Sequence, residues 1–155
     1  MKTLNALSDQ VKETSCGMLN KLLAESIDLY LQARFYHWNI RGPQFLTLHG
    51  LFGDLYDLLG SQGDDLAERI AQLGGKAEGS LFQVGAASEI DEPIKSDVGL
   101  EMAEDMAGKL ADYSNRLVKW FSTETDLGDH GSADMLIGMA REVDKKVWML
   151  ESFLK

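Results

Sequence analysis

The sequence predicts an all-α protein, a bundle of four long helices with a long crossover between the second and the third. Three observations support this fold class. Apolar residues recur at helical spacing along four stretches, only two prolines occur in 155 residues, and no stretch alternates as a strand would. A chain of this length can bury one sizeable core, so we expect a single domain over 1–155.

The first two predicted helices are separated by a glycine-proline pair. The first helix spans about 9–39 and ends before Gly42-Pro43, because the residue ahead of a proline avoids helical angles. We place the second helix at about 43–74, with Pro43 at its first position, where no amide hydrogen is needed. A glycine pair that begins at Gly74 is a typical stop signal.

A linker of about 76–96 follows, with two glycines and a proline, and it is long enough to contain a short helix. At this length a loop in a compact domain is usually a functional crossover or a packed segment. The third helix is predicted at about 97–124 and the fourth at about 130–154, with Asp129 or Ser132 as its N-cap. Two helices, a long crossover and two more helices are the connectivity of a ferritin-like four-helix bundle.

The charge of the chain limits its partners. The formal net charge is −10 with neutral histidines. Such a surface repels DNA phosphates and attracts cations. The first 25 residues sum to zero charge and contain no basic cluster. We therefore expect no simple electrostatic binding of DNA.

Other sequence features exclude further classes. Cys16 is the only cysteine, so we expect neither an intrachain disulfide nor a thiolate metal site. No apolar run approaches the ~20 residues that span a bilayer, so no membrane association is expected. The N-terminal stretch MKTLNALSDQVKETS has no apolar segment of the signal-peptide type. We therefore expect a cytoplasmic protein.

Two histidines and two carboxylates stand out as metal ligands. His37 and His49 flank the break between the first two helices, and Asp64 and Glu68 are four apart on one face of the second. His49 and Asp64 are 15 positions apart on one helix, which is roughly 22 Å at a rise of ~1.5 Å per residue. Ligands of one ion lie within ~2 to 2.5 Å of it. The two ends could meet if two copies of this helix packed antiparallel about a two-fold axis, and two equivalent sites would then form in each dimer.

The alternatives to a shared metal site are a structural pair of histidines and a solvated charged face. A site inside the bundle is not expected, because such ferritin sites use Glu-x-x-His pairs. Each of the three histidines has a residue other than glutamate three positions before it.

The stretch HWNIRGPQFLTLHGLF, followed by DDLAERIAQLGG, resembles the Dps family of mini-ferritins. The family pattern is a histidine and a tryptophan, a second histidine twelve residues after the first, and an Asp-x-x-x-Glu before Arg-Ile. These positions are His37, Trp38, His49, Asp64 and Glu68. The last helix, ADMLIGMAREVDKKVWMLESFL, is also similar to the final helix of the family, and the resemblance covers nearly the whole chain.

The resemblance implies a subunit of a hollow homo-dodecamer with ferroxidase centres at its two-fold interfaces. His37 of one subunit would form the stronger iron site with Asp64 and Glu68 of its mate. His49 would belong to a weaker second iron site. Trp38 would lie beside the centre, where it either intercepts radicals or packs at the interface.

The activity implied is the oxidation of ferrous iron, with hydrogen peroxide preferred over oxygen, and storage of the ferric product in the cavity. This chemistry protects against oxidative damage. Acidic residues would line the cavity and its pores, and the candidates near the start of the fourth helix are Asp126, Asp129 and Asp134.

The chain departs from the family pattern at Gly53, where an aspartate commonly completes the second iron site. Asp54 points about 100° away around the helix, and Asp57 lies one turn further on. The second site would then be weak, mononuclear in practice, or selective for another metal such as zinc. Gly53 is one of four glycines in the second helix, with Gly50, Gly60 and Gly63, which indicate either close packing or a kink.

The N-terminus departs as well. Family members that condense DNA often have lysine-rich N-terminal extensions, whereas this one is short and neutral. DNA binding is therefore not carried over. Two alternatives to an iron-oxidising cage stay open: a nucleoid-binding structural protein, and a degenerate helical scaffold whose metal site is vestigial or holds a metal other than iron.

Overall fold

The computed structural model describes residues 3–155, so Met1 and Lys2 of the N-terminal stretch lie outside the described residues. The helices of this part are α1 (Asp9–Asn39), α2 (Phe45–Gln72), α3 (Leu81–Ala87), α4 (Gly99–Leu127) and α5 (His130–Glu151). Between residues 3 and 155, extended pairing is limited to an isolated bridge between Arg41 and Val98. No helix of this part is long and apolar enough to cross a membrane. The predicted all-α bundle is confirmed.

The four long helices pack as two pairs around one core. α1 lies along α2 and α4 lies along α5, and the apolar faces of both pairs meet in the centre. Leu22, Leu59, Leu110 and Leu136, one from each long helix, are all 0% exposed. Burial of one such side chain contributes about 1.5–3 kcal/mol, so the apolar spacing of the sequence accounts for the bundle.

Polar residues set the helix ends. The Ser8 hydroxyl accepts a hydrogen bond from the Val11 amide at the start of α1. α4 ends at Gly128, whose φ of 80° is a left-handed conformation that favours glycine. Asp129 caps α5 by accepting from the Ser132 amide, so Ser132, the other candidate for this cap, lies inside the helix.

The predicted start of α2 at Pro43 is wrong, because the helix begins at Phe45. Pro43 lies instead in a tight turn, which is closed by a 3.0 Å hydrogen bond from the Phe45 amide to the Gly42 carbonyl. Gln44, the next residue, has φ −90° and ψ 4°, the angles of the third position of a type I turn. The fixed φ of proline suits the second position of that turn as well as the first position of a helix.

Most of the α2 glycines face α1, but the packing of the two helices does not require glycine at these positions. A Cβ atom at Gly60 would lie 3.4 Å from the Tyr30 ring, and one at Gly53 would lie 3.5 Å from the His37 ring. A third glycine also faces α1, whereas Gly50 has no neighbour within 4 Å of its Cβ position. These are ordinary contact distances for a Cβ atom, so alanine would fit where the glycines face α1.

The crossover between α2 and α4 is tied to the bundle by polar groups. Lys109 of α4 donates to the Glu92 carbonyl at 3.0 Å and to the Asp105 carboxylate at 2.7 Å. The Tyr36 hydroxyl donates to Asp105 at 2.6 Å and accepts from the Ile94 amide at 2.9 Å. We call Tyr36, Asp105 and Lys109 the crossover clamp, because they hold the segment that joins the two helix pairs.

Candidate metal centre

Two histidines meet where α1 ends and α2 begins. The His37 and His49 rings are stacked, with centroids 3.6 Å apart and planes inclined by 21°. His37 Nδ1 lies 2.7 Å from the His49 carbonyl oxygen, and His49 Nδ1 lies 2.8 Å from the His37 carbonyl oxygen. The short turn between the helices makes this reciprocal pairing possible, and it joins two of the predicted ligands.

The reciprocal bonds determine which ring nitrogen can bind a metal. A carbonyl oxygen can only accept, so Nδ1 of each ring must carry the hydrogen and donate it. In the neutral imidazole the remaining lone pair then lies on Nε2. Metal-binding histidines are commonly oriented by such a bond from the other ring nitrogen. His37 and His49 each have the Nε2 lone pair available for a metal ion.

The stacking also determines whether the two rings can bind the same metal ion. A ring nitrogen binds a metal in the plane of its ring, at about 2.0–2.1 Å for zinc. Because the planes of His37 and His49 are nearly parallel and their centroids are 3.6 Å apart, an ion in one plane lies well outside the other. Each histidine therefore suits a separate ion, and the geometry fits two neighbouring ions.

The predicted carboxylates lie elsewhere in the same chain. Asp64 and Glu68 are exposed on α2, one turn apart, and neither has a hydrogen bond or ion pair within residues 3–155. No cluster of three or more His, Cys, Asp or Glu side chains in that part could hold a metal. A single chain thus joins the histidines to each other and leaves the carboxylates apart from them.

Aromatic side chains surround His37. The Tyr56 ring meets the His37 ring edge-on with centroids 5.3 Å apart. The Arg34 guanidinium lies 5.0 Å from the centroid of the Trp38 ring and also faces the rings of Tyr30 and Tyr56. Neither Arg34 nor Tyr56 was predicted from the sequence as a site residue. Helical spacing could have placed both residues near the histidines, since Arg34 precedes the first histidine by three positions and Tyr56 follows the second by seven.

The acidic residues near Gly53 do not compensate for it within one chain. Asp54 is directed to α5, where its carboxylate lies 3.6 Å from the Lys146 ammonium. Asp57 is exposed. Gly53 itself faces the His37 ring, where a Cβ would make an ordinary contact at 3.5 Å.

Of the three acidic pore candidates, Asp129 has a structural position. It is 2% exposed within one chain, and it accepts a 2.6 Å hydrogen bond from Arg69. Burial alone would raise the pKa of Asp129, but the bonds from Ser132 and the charge of Arg69 outweigh it and lower the pKa. A buried, paired carboxylate cannot line a pore, so this candidate is withdrawn. Asp126 and Asp134 are exposed.

Large apolar side chains are exposed where α1 ends and α2 begins, and on the crossover helix α3. Trp38 is 65% exposed and Leu46 is 79% exposed, and on α3 Phe82 is 94% exposed. Asp64 borders an apolar groove of about 320 Å³ between α1 and α2. Apolar patches of this kind mark contacts between proteins. The face that carries the histidines and carboxylates therefore has the character of an interface.

Comparison with known proteins agrees with this fold. A family model described as a ferritin-like domain matches residues 16–155. The class of the protein is therefore ferritin-like. A solved structure, the Dps protein of Vibrio cholerae O1, has a TM-score of 0.93 and 30% identity, and the match covers 100% of this chain and 98% of that chain. That relative is described as a member of a broad superfamily of ferritin-like diiron-carboxylate proteins.

Curated relatives show which family of the ferritin-like class the chain resembles. The DNA protection during starvation protein of Agrobacterium fabrum is 33% identical over 99% of this chain and 96% of its own length. The protein of the same name from Brevibacillus brevis is 33% identical over 96% of this chain and 100% of its own length. The chain belongs to the Dps family of mini-ferritins, which confirms the resemblance found in the sequence.

Proposed function

We propose that this protein binds ferrous iron at sites shared between two copies of the chain, oxidises it, and stores the ferric product inside a cage of twelve copies. The observation that supports this proposal is that the candidate ligands lie at opposite ends of α2. The Nε2 atoms of His37 and His49 are available at one end of α2, and the unpaired carboxylates of Asp64 and Glu68 lie towards the other. A two-fold contact between antiparallel α2 helices joins these ends twice in each dimer.

The donor set suits ferrous iron. Imidazole nitrogen and carboxylate oxygen are ligands of iron in non-haem sites, and few protein ligands leave open positions for an oxidant. His37 with Asp64 and Glu68 of the second copy would hold the stronger ion. His49, with Gly53 beside the centre, would hold a weaker one, and zinc is an alternative occupant because it accepts the same ligands. Hydrogen peroxide is the proposed oxidant, with oxygen as the alternative.

The surface of the chain supports the assembly. Exposed apolar side chains lie beside the histidines on α1 and α2, others lie on α3, and they need a partner to leave water. A second copy would supply that contact together with the missing ligands. Asp126 and Asp134 would attract ferrous ions to the pores of the cage.

The test of the activity is the rate of ferrous iron oxidation at neutral pH with hydrogen peroxide or oxygen. The variant His37→Ala with Glu68→Ala should oxidise iron no faster than buffer, whereas the native protein should exceed it. The matched control is His130→Ala with Asp65→Asn, which removes an exposed histidine and the acid next to Asp64. Equal rates for native protein, variant and buffer would favour a cage scaffold or a site for another metal.

Mixed assemblies test whether the site is shared. A chain with His37→Ala retains its carboxylates, and a chain with Asp64→Ala plus Glu68→Ala retains its histidines. When the two are refolded together in equal amounts, half of the dimers are mixed and each mixed dimer has one intact site. We expect about one quarter of the native activity from two inactive parents. No recovery, in assemblies shown to be mixed, would place the site within one chain.

The names of the curated relatives suggest a second function, the protection of DNA. The net charge of −10 opposes direct binding to phosphates. A structural nucleoid protein should shift DNA mobility at low salt, and the shift should disappear as salt rises. We expect no shift at low salt, so any protection of DNA would come from the removal of iron and peroxide.

A further inference from the structure

The rings beside His37 form a connected group of oxidisable side chains. Tyr56 meets His37 edge-on at 5.3 Å, and Tyr30 meets Tyr56 edge-on at 6.0 Å. The Arg34 guanidinium lies 5.0 Å from the centroid of the Trp38 ring. One phenol thus contacts the proposed iron ligand, a second phenol and an indole lie in the same group, and nothing in the binding of iron requires them.

A centre that holds only one ferrous ion cannot reduce peroxide completely. Hydrogen peroxide needs two electrons to become two water molecules, and one ferrous ion supplies one. Each histidine suits a separate ion, so partial loading leaves centres in this state. The second electron must then come from a nearby group, or a hydroxyl radical is released.

We infer that Tyr56 supplies this second electron when one ferrous ion is bound, an inference that rests on the proposed function. The ferrous ion and the Tyr56 phenol each lose one electron, and the O–O bond of peroxide breaks. The phenol proton and one proton from solvent complete the two water molecules. The balance is Fe²⁺ + TyrOH + H₂O₂ + H⁺ → Fe³⁺ + TyrO• + 2 H₂O.

The charge of Arg34 favours Tyr56 over Trp38 as the donor. An oxidised indole is first a cation, and a guanidinium 5.0 Å from the ring centroid repels it. An oxidised phenol releases its proton and becomes a neutral radical, which this charge does not oppose.

Contacts favour Tyr56 over Tyr30. The Tyr30 hydroxyl accepts a hydrogen bond from Arg34, and its ring is separated from His37 by Tyr56. The Tyr56 ring contacts the His37 ring directly, so it is the first phenol that an oxidising equivalent at this histidine would reach. Tyr30 is placed to accept the oxidising equivalent afterwards.

The experiment is freeze-quench electron paramagnetic resonance of the assembled protein, loaded with fewer ferrous ions than chains and mixed with hydrogen peroxide. Ferric product is followed by absorbance in the same samples. Ring-deuterated tyrosine distinguishes a tyrosyl from a tryptophanyl signal. The variant is Tyr56→Phe, which keeps the ring against His37. The matched control is Tyr113→Phe, a core tyrosine whose neighbours include Glu25 and Arg116.

We expect a tyrosyl radical in the native protein and in the Tyr113→Phe control, and its loss in Tyr56→Phe with ferric product still formed. The variant should also release hydroxyl radicals that a spin trap detects. A radical that persists in Tyr56→Phe, or one that deuterated tyrosine does not alter, would overturn the inference. Ferric product without any protein radical would overturn it and leave the proposed function intact. No ferric product above the buffer rate would overturn both.

Discussion

The carboxylate of the crossover clamp is paired within the chain, whereas the carboxylates of the candidate metal centre are not. Asp105 of the clamp is 18% exposed and accepts hydrogen bonds from Tyr36 and from Lys109, which is 10% exposed. Asp64 and Glu68 are exposed and have no partner within the described chain. Buried polar groups are almost always satisfied within a fold. The clamp is therefore complete in one chain, whereas the metal centre is complete only with a second copy and an ion.

The largest effect on stability is expected from Asp105→Ala. The change leaves the Lys109 ammonium and the Tyr36 hydroxyl without their acceptor, and loss of one partner of a buried pair costs about 3 kcal/mol. Urea unfolding would measure the fall in the free energy of unfolding. The matched control is Glu104→Ala, at the exposed neighbouring position. Similar losses in both variants would contradict the role of the clamp.

Replacement of a carboxylate by alanine at the metal centre should weaken iron binding and leave the stability of the fold nearly unchanged. Asp64→Ala should weaken ferrous affinity at least tenfold, about 1.4 kcal/mol, because one ligand of each shared site is removed. The free energy of unfolding without metal should change by about 0.5 kcal/mol or less, as is usual at the surface. Asp65→Ala should alter neither quantity. A large loss of stability in Asp64→Ala would show that this carboxylate has a structural partner.

Glu124 is intermediate between the two regions, because it is buried and only one of its two oxygens is paired. One of its oxygens accepts from the Ser15 hydroxyl at 2.7 Å, and the other has no partner in the described part of the chain. Burial raises the pKa of Glu124 above its ordinary value of 4.5. An acid with a raised pKa in the folded state contributes stability below pH 4.5 that is lost as pH rises through the folded pKa.

The expected result is that Glu124→Gln removes this part of the decline in stability above pH 4.5. Thermal unfolding from pH 4 to pH 8 would measure it. Asp129→Asn is the contrasting variant, because the lowered pKa of Asp129 gives stability that is lost only as pH falls through that pKa. Identical pH profiles for Glu124→Gln and native protein would rule out the burial of a charged Glu124.

The smallest effect is expected at the crossover surface. The Ser80 hydroxyl accepts from the Gln83 amide, and the Gln83 side-chain oxygen accepts from the Ser80 amide, which forms a capping box for α3. Ser80→Ala should destabilise this short helix by about 1 kcal/mol. Amide hydrogen exchange should accelerate in α3 and stay unchanged in α4. Iron oxidation should also stay unchanged, and a parallel loss of activity would connect α3 to the shared site.

Much of the fold could be predicted because helical periodicity is local. Apolar spacing located the four long helices, and the distance between His49 and Asp64 excluded a site in one chain. The start of α2 could not be predicted, since proline suits both a turn and a helix start and only the Gly42–Phe45 bond distinguishes them. Asp129 was wrongly predicted to line a pore, because its partner Arg69 is 60 positions away in the sequence.

The helices, the family and the chemical types of the candidate ligands could be read from the chain alone, because they depend on residue identity and on spacing along it. The availability of the Nε2 lone pairs of His37 and His49 became visible only in the folded protein, since each ring is oriented by the carbonyl of the other. The tertiary structure likewise placed Tyr56 against His37 and buried Asp129. Such contacts join residues on different helices, and their geometry follows from how the helices pack.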